Sequence, residues 1–372
     1  MTLRMLAFVP LVLAALPAAA GTYQSEKHAF RTVIVASGLD HPWSLAFLPD
    51  GRMLVTERAG RLRVIAADGT LLPTPVAGLP EVYARGQGGL LDVLPHPGFA
   101  ANGLVYLSFS EPGDGGASTA VLRGRLAGDD RLTDVGTIFS ATPKSSGGRH
   151  FGSRMVWGPD GKLYVSVGER GNDDWAQMRD RAPGSVLRLN EDGSVPADNP
   201  FVGAPGIRPE IYSWGHRNPQ GMIVHRARGE IWEQEHGPRG GDEINILKPG
   251  ANFGWPAITH GTAYSGLPMG EGSAKPGMEQ PIWHWTPSIA PSGMALYDGA
   301  AFPAWQGNIF VGSLKFEYLE RMVFDGTGVV HREPLLRGEL GRIRDVRQGP
   351  DGLLYVLSDE DDGTVTRLEP LR

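Results

Sequence analysis

Four short segments carry residue types that could do chemistry. In Gly148-Arg149-His150-Phe151-Gly152-Ser153-Arg154 a histidine stands between glycines that leave its ring sterically open. A neutral imidazole is a suitable general base near pH 7. Standing alone, such a histidine is more often structural. In Trp214-Gly215-His216-Arg217-Asn218-Pro219-Gln220-Gly221 several hydrogen-bonding side chains crowd a Pro/Gly turn. This is either a rigid loop presenting Arg217 and Asn218 to a polar ligand or a self-capped turn with Arg217 in solvent. The stretch from Glu233 to Asn245 is dense in carboxylates and in carbonyls at Gly and Pro, the donors that a hard cation such as Ca2+ takes. It lacks EF-hand spacing, and in isolation it reads as a solvated acidic loop. Last, Lys315 follows Gly312-Ser313-Leu314, and Arg342 and Arg344 alternate in Gly341-Arg342-Ile343-Arg344-Asp345. Alternation puts both guanidiniums on one strand face, where they suit a polycarboxylate or phosphate unless that face is simply exposed.

A repeated turn–strand unit is available to position these segments. Pro49-Asp50-Gly51, Pro159-Asp160-Gly161 and Pro350-Asp351-Gly352 each precede a short run of strand-forming residues, and weaker copies center on Gly103, Gly229 and Gly307. Asp and Gly supply the turn, and β-branched and aromatic residues the strand. Successive glycines are about 45 to 78 residues apart, the shorter interval matching one four-stranded blade. The spacing predicts an all-β fold, a six-bladed β-propeller of four-stranded antiparallel blades, against a β-sandwich or two-domain β protein as the alternative. Closure pairs the first and last strands within one blade, with His28 to Ala36 as the outer strand. Ligands then sit over the central channel on loops at one end.

Composition narrows the classes. The 372 residues include no cysteine, which excludes disulfides, thiolate zinc sites and a cysteine nucleophile. No H-x-H or H-E-x-x-H pair occurs, so a histidine–zinc site has no local support. The formal charge of −6 and the lack of a basic stripe argue against nucleic acid. Glycine-rich nucleotide motifs and a G-x-S-x-G elbow are missing. Residues 1–20 carry Arg4, an apolar run from Met5 to Pro17 and Ala18-Ala19-Ala20. This is the pattern of a secretory signal cleaved near Ala20, with an uncleaved anchor as the alternative. The run is too short to span a bilayer, so stable membrane insertion is not expected. The division is a signal at 1–20 and a single catalytic propeller at 21–372, periplasmic or secreted.

In combination and order, these segments resemble the soluble aldose sugar dehydrogenases that depend on pyrroloquinoline quinone (PQQ), relatives of soluble quinoprotein glucose dehydrogenase. The likeness runs from about Gly38 to Leu368 and includes G-L-D-H-P-W-S-L-A-F-L-P-D-G, G-Q-G-G-L-L-D, H-F-G-S-R, G-H-R-N-P-Q-G, E-H-G-P-R-G-G-D-E-I-N and G-R-I-R-D-V. The resemblance implies oxidation of the anomeric carbon of aldose sugars to lactones, with PQQ and Ca2+ as cofactors and an external electron acceptor, in a monomer or homodimer. It implies that His150 is the base, Glu169 its partner where the glucose enzyme has aspartate, and Gln87 a residue near the sugar. It implies that Arg217 and Asn218 contact the reactive end of PQQ, while Lys315, Arg342 and Arg344 hold its carboxylates. Gly237 and Pro238 match carbonyl ligands of the cofactor's calcium, and Asp242 and Ser288 match residues that hold its waters. Glu243 and the carbonyl of Phe253, where relatives often have tyrosine, match a further calcium site. The loops that fix sugar choice in the glucose enzyme are not recognizable, which implies broad aldose specificity. A calcium-dependent propeller lactonase or other hydrolase would share the carboxylates without needing three cations around one polyanion. A non-catalytic sugar-binding propeller would need no base.

Overall fold

A computed structural model describes residues 21–128 and 130–371; the expected export signal at 1–20 lies outside them. The six repeated glycines all adopt positive φ, between 63° and 88°, a conformation glycine reaches at no side-chain cost. Each makes the turn between the first two strands of a blade. Blade 1 is built from Pro42–Phe47, Met53–Glu57 and Arg61–Ile65. Its outer edge is completed by a bridge from Leu71 to Ile65 and by the Leu72 and Val76 N–H groups donating to the Val64 and Leu62 carbonyls. Blade 2 comprises Leu90–Pro95, Leu104–Gly113, Gly116–Leu126 and Leu132–Ser140. Blade 3 comprises Gly152–Trp157, Leu163–Val167, Ser185–Leu189 and Ile211–Trp214. Blade 4 is made of Pro219–His225, Glu230–Glu235, Asp242–Ile246 and Trp283–Trp285. Blade 5 is made of Pro291–Leu296, Ile309–Ser313, Tyr318–Phe324 and Val329–Leu335.

Blade 6 closes the ring. Ile343–Gln348, Leu354–Ser358 and Gly363–Pro370 are completed by the N-terminal strand Ala29–Leu39, which pairs antiparallel with Gly363–Pro370. The strand expected from His28 to Ala36 is thus the closing one, and Thr22–Gln24 adds a fifth. The innermost strand of each blade contacts that of the next, and blade 6 returns to blade 1. Six buried apolar clusters fill the six blade interfaces, which is where a propeller gains its hydrophobic stabilization.

This topology fixes where function can sit. With every first turn at one end, inner strands start, and second strands finish, at the other. The four segments singled out for their chemistry fall at that second end. Beneath it, inner-strand charges fill the channel. Arg154 is 1% exposed and pairs with Asp92 at 3.1 Å and Asp345 at 3.2 Å. Its guanidinium lies over Trp43, and Arg347 bridges the same two carboxylates. Among the described residues, no helix is long and apolar enough to cross a membrane.

Candidate active site

His150 sits just ahead of the inner strand of blade 3, at φ +35° and 5% exposed. Its carbonyl accepts from Arg170 N–H at 3.1 Å. Glu169, two residues past the second strand of the same blade, reaches the ring: His150 Nδ1 lies 2.6 Å from the carboxylate. The extra methylene relative to aspartate therefore does not prevent contact. Burial, followed by the cations Arg217 and Arg149, lowers the imidazole to about 2, so it is neutral. Burial raises Glu169 to about 7, with Arg217 opposing. A Nδ1–H donated to Glu169 leaves the Nε2 lone pair free. Gln87 is exposed, and its N–H donates to the Gly148 carbonyl at 2.8 Å. The neighboring Gly86 has φ +61°, and a Cβ there would lie 2.3 Å from Gly148 O, so only glycine permits this approach. An open cavity lined by Gly86, Gln87, Ser146, Gly148, Arg149 and Asn172 results.

Arg217 and Asn218 enter the inner strand of blade 4. The Glu235 carboxylate accepts both backbone N–H groups. Arg217 Nη1 donates to the Gly237 carbonyl at 2.9 Å, and Nη2 lies 3.4 Å from the Tyr264 hydroxyl. Asn218 Oδ1 accepts from Gly152 N–H at 3.1 Å, tying this loop to the His150 segment. Gly237 N–H donates to Asp242 at 2.8 Å; Asp242 also accepts from the Ile289 and Ala290 N–H groups, and Ser288 Oγ accepts from Ala290 N–H at 3.2 Å. A Cβ on Gly237 would fall 2.3 Å from both Gly240 O and Gly241 O, so backbone oxygens crowd this turn. Pro238 follows it and is buried.

The expected cations complete the ring. Arg344 pairs with Asp359, and its Nη1 donates to Gln220 Oε1 at 3.2 Å; Gln220 Nε2 in turn reaches Asn218 Oδ1 at 3.2 Å. Arg342 is 3.7 Å from Asp359 and donates to the Leu314 carbonyl at 3.2 Å. Lys315 is exposed, with its backbone N–H on Ile289 O. Hydrogen bonds thus run from the His150 segment through Asn218, Gln220, Arg344, Asp359 and Arg342 to the Lys315 turn. They continue from there through Ile289 and Asp242 to Gly237 and Arg217. Buried Arg217 Nε, Asn218 Nδ2 and Arg344 Nε have no protein partner. Such unpaired donors, with the further cations Lys315 and Arg342 on the same ring of loops, fit a polycarboxylate.

Glu243 and Phe253 line one small cavity with Glu235, His236 and Gly237. Behind it, His216 Nδ1 lies 3.1 Å from Glu235 and 3.5 Å from Glu233, and the Phe253 ring stacks on His216. His216, Glu233 and Glu235 form a buried group whose ligand atoms lie within 4.8 Å of one another, close enough to hold a metal ion. Glu233, Glu235 and Glu243 are three carboxylates against one imidazole. Burial and mutual repulsion raise Glu233 to about 7 and Glu243 well above the usual carboxylate range. An excess of buried negative charge and backbone oxygens is the donor chemistry of a hard cation.

Sequence reasoning gave no roles to Asp359, Gln220 or Glu235. Gln220 lay inside a motif already singled out. Asp359 directly follows the second strand of blade 6, just as Glu169, Gly237 and Lys315 follow second strands by two residues. That blade position is the signal that could have found it.

Residues 39–367 match the family model described as Glucose / Sorbosone dehydrogenase. The chain is 47% identical to the Escherichia coli aldose sugar dehydrogenase YliI, covering 91% of this chain and 92% of that protein. It is similar to a crystal structure of a glucose dehydrogenase, with 51% identity, TM-score 0.88, and 90% and 98% of the two chains covered. The PQQ-bound form of the aldose sugar dehydrogenase from Streptomyces coelicolor is 29% identical, with TM-score 0.75 and coverage of 95% and 100%. The chain therefore belongs to the glucose/sorbosone dehydrogenase family and is an oxidoreductase.

Proposed function

We propose that this protein oxidizes the anomeric carbon of aldose sugars to lactones, using PQQ and Ca2+ and passing electrons to an external acceptor. The observation that carries this is the continuous hydrogen-bonded ring linking the His150 segment, Arg217, Asn218, Gly237, Asp242, the Lys315 turn, Arg342 and Arg344 at one mouth of the channel. Lys315, Arg342 and Arg344 would hold the PQQ carboxylates, with Arg217 and Asn218 at the opposite end of the cofactor. The Gly237 and Pro238 carbonyls would hold its calcium, with Asp242 and Ser288 fixing the calcium's waters. Glu243 and the Phe253 carbonyl would hold a second ion. When bound, PQQ with its calcium would supply a quinone that accepts two electrons as a hydride.

The chain's own residues do the rest. His150 Nε2 takes the proton from the anomeric hydroxyl while Glu169 holds Nδ1–H. Arg217 provides a buried positive charge for developing negative charge at the reacting end. Gln87, on the rim of the cavity beside His150, orients the sugar. Broad aldose use is the reading for a wide, open cavity whose polar side chains can meet sugar hydroxyls in more than one arrangement. Residues 21–372 act as one catalytic unit, exported to the periplasm or medium after cleavage near Ala20, as a monomer or homodimer. The test is reconstitution: apo protein with PQQ and Ca2+, followed by sugar-dependent dye reduction across an aldose panel. Reduction that requires both additions is expected; none with any aldose overturns the reading.

A further inference from the structure

Asp173 and Asp174 open a short 3-10 turn, Asp173–Gln177, four residues after Glu169. Asp173 is half-buried and Asp174 exposed. The intervening backbone explains the difference. Arg170 at φ +64° and Gly171 at φ +73° reverse the chain. Asn172 N–H then donates to the Glu169 carbonyl at 3.2 Å. This fold-back brings the Asp173 side chain into hydrogen-bonding contact with the Glu169 carboxyl. The other charged groups facing the pair are His150, Arg217 and Arg170. Two carboxyls in contact in a buried site do not both ionize; sharing one proton costs less.

We propose that Asp173 is a positioning residue for His150: it shares one proton with Glu169, keeping that carboxyl an acceptor of the His150 Nδ1–H so that Nε2 remains the basic atom. The inference rests on the reading in which His150 takes the sugar's proton. Its logic is tautomeric. A protonated Glu169 acting alone would donate to Nδ1 and force the proton onto Nε2, which abolishes the base. Burial raises both Glu169 and Asp173, which favors a single proton held between the two carboxyls. Held by Asp173 and donated to Glu169, it leaves the second Glu169 oxygen to accept from Nδ1.

The test compares Asp173→Ala, Asp173→Asn and, as a control, exposed Asp174→Ala. Nitrogen-15 NMR of the His150 imidazole in protein without PQQ or sugar reads the tautomer against pH. Reconstituted enzyme gives kcat and KM. Wild type and Asp173→Asn, whose amide can still donate to Glu169, are expected to keep Nδ1–H. Asp173→Ala is expected to drift to mixed tautomers below neutrality. Its kcat should fall on the order of tenfold at unchanged sugar KM, with Asp173→Asn restoring most of it. Wild-type tautomer and kcat in Asp173→Ala overturn the proposal, as does an Asp173→Asn loss equal to that of Ala. Because the tautomer is read in unloaded protein, absence of dye reduction in the wild type would sink the enzyme reading while leaving this result standing.

Discussion

Arg344 and Asp359 form a buried ion pair at the mouth of the channel, with Arg344 reaching from the start of the inner strand of blade 6 to the residue after its second strand. Asp359 also meets His41 Nδ1 at 2.9 Å and Arg342 at 3.7 Å. One carboxylate therefore faces the two guanidiniums of Arg342 and Arg344 and neutralizes them incompletely, and a bound polyanion would supply the missing charge. Removing one partner of a buried pair typically costs about 3–5 kcal/mol. Asp359→Asn should accordingly lower the Tm of unloaded protein, yet enlarge the Tm rise produced by PQQ. Thermal unfolding with and without PQQ measures both, and an unchanged or smaller rise contradicts the assignment of Arg342 and Arg344.

The same carboxylate makes an acid-stability prediction. Burial alone would raise Asp359, but the Arg344 charge and hydrogen bonds from Arg344 and His41 hold it well below the usual carboxylate range. A group depressed in the folded state stabilizes above its unfolded value, about 3.9, and loses that contribution as pH falls. Glu169 has the opposite sign. Burial raises it to about 7, so its contribution is complete below about 4.3 and is lost as pH climbs through 7. Glu169→Gln should flatten the decline in unloaded-protein Tm between pH 5 and 8. An identical decline in wild type and variant would refute the burial argument.

His150→Ala removes the base but leaves the cation ring intact. Loss of a positioned base costs about 10²–10⁴-fold in rate. We expect kcat to fall in that range with PQQ affinity held within about threefold, read by dye reduction and cofactor titration. Loss of PQQ binding along with activity would make His150 structural.

The fold was legible because its signals are local. Six Gly-centered turns and their strands needed no tertiary information, and the closing strand followed from the need to pair blade 6. The gathering of His150, Arg217, Lys315, Arg342 and Arg344 was legible only through resemblance. Nothing in the spacing of His150 and Arg344 sets them at the same end; that comes from six chain reversals summed around a ring. Asp359 and Glu235 were missed because their roles are electrostatic and reciprocal. Each is defined by the cation or backbone N–H it faces, and those partners are distant in sequence or lie on the far side of a turn. Asp173 was missed for a related reason: adjacent acids read as solvent-facing until the positive φ values of Arg170 and Gly171 show which one turns inward.

The Gly237 turn provides the sharpest separation of metal from fold. A methyl group there meets the Gly240 and Gly241 oxygens at 2.3 Å, closer than real carbon contacts, so these backbone oxygens must move apart. In unloaded protein the displaced turn retains the Asp242 anchor at Ile289 and Ala290, and overpacking of this kind should cost about 1–3 kcal/mol. The proposed calcium ligands are the Gly237 and Pro238 carbonyls of this same turn, and at ligand distances small displacements matter most. Gly237→Ala should therefore abolish most of the Tm increase that Ca2+ gives wild type in the presence of PQQ, and weaken calcium activation of dye reduction by at least about tenfold. Chelation should bring wild type down to the variant's level. A Gly237→Ala protein that is stabilized and activated by calcium like wild type would place the cofactor's ion elsewhere.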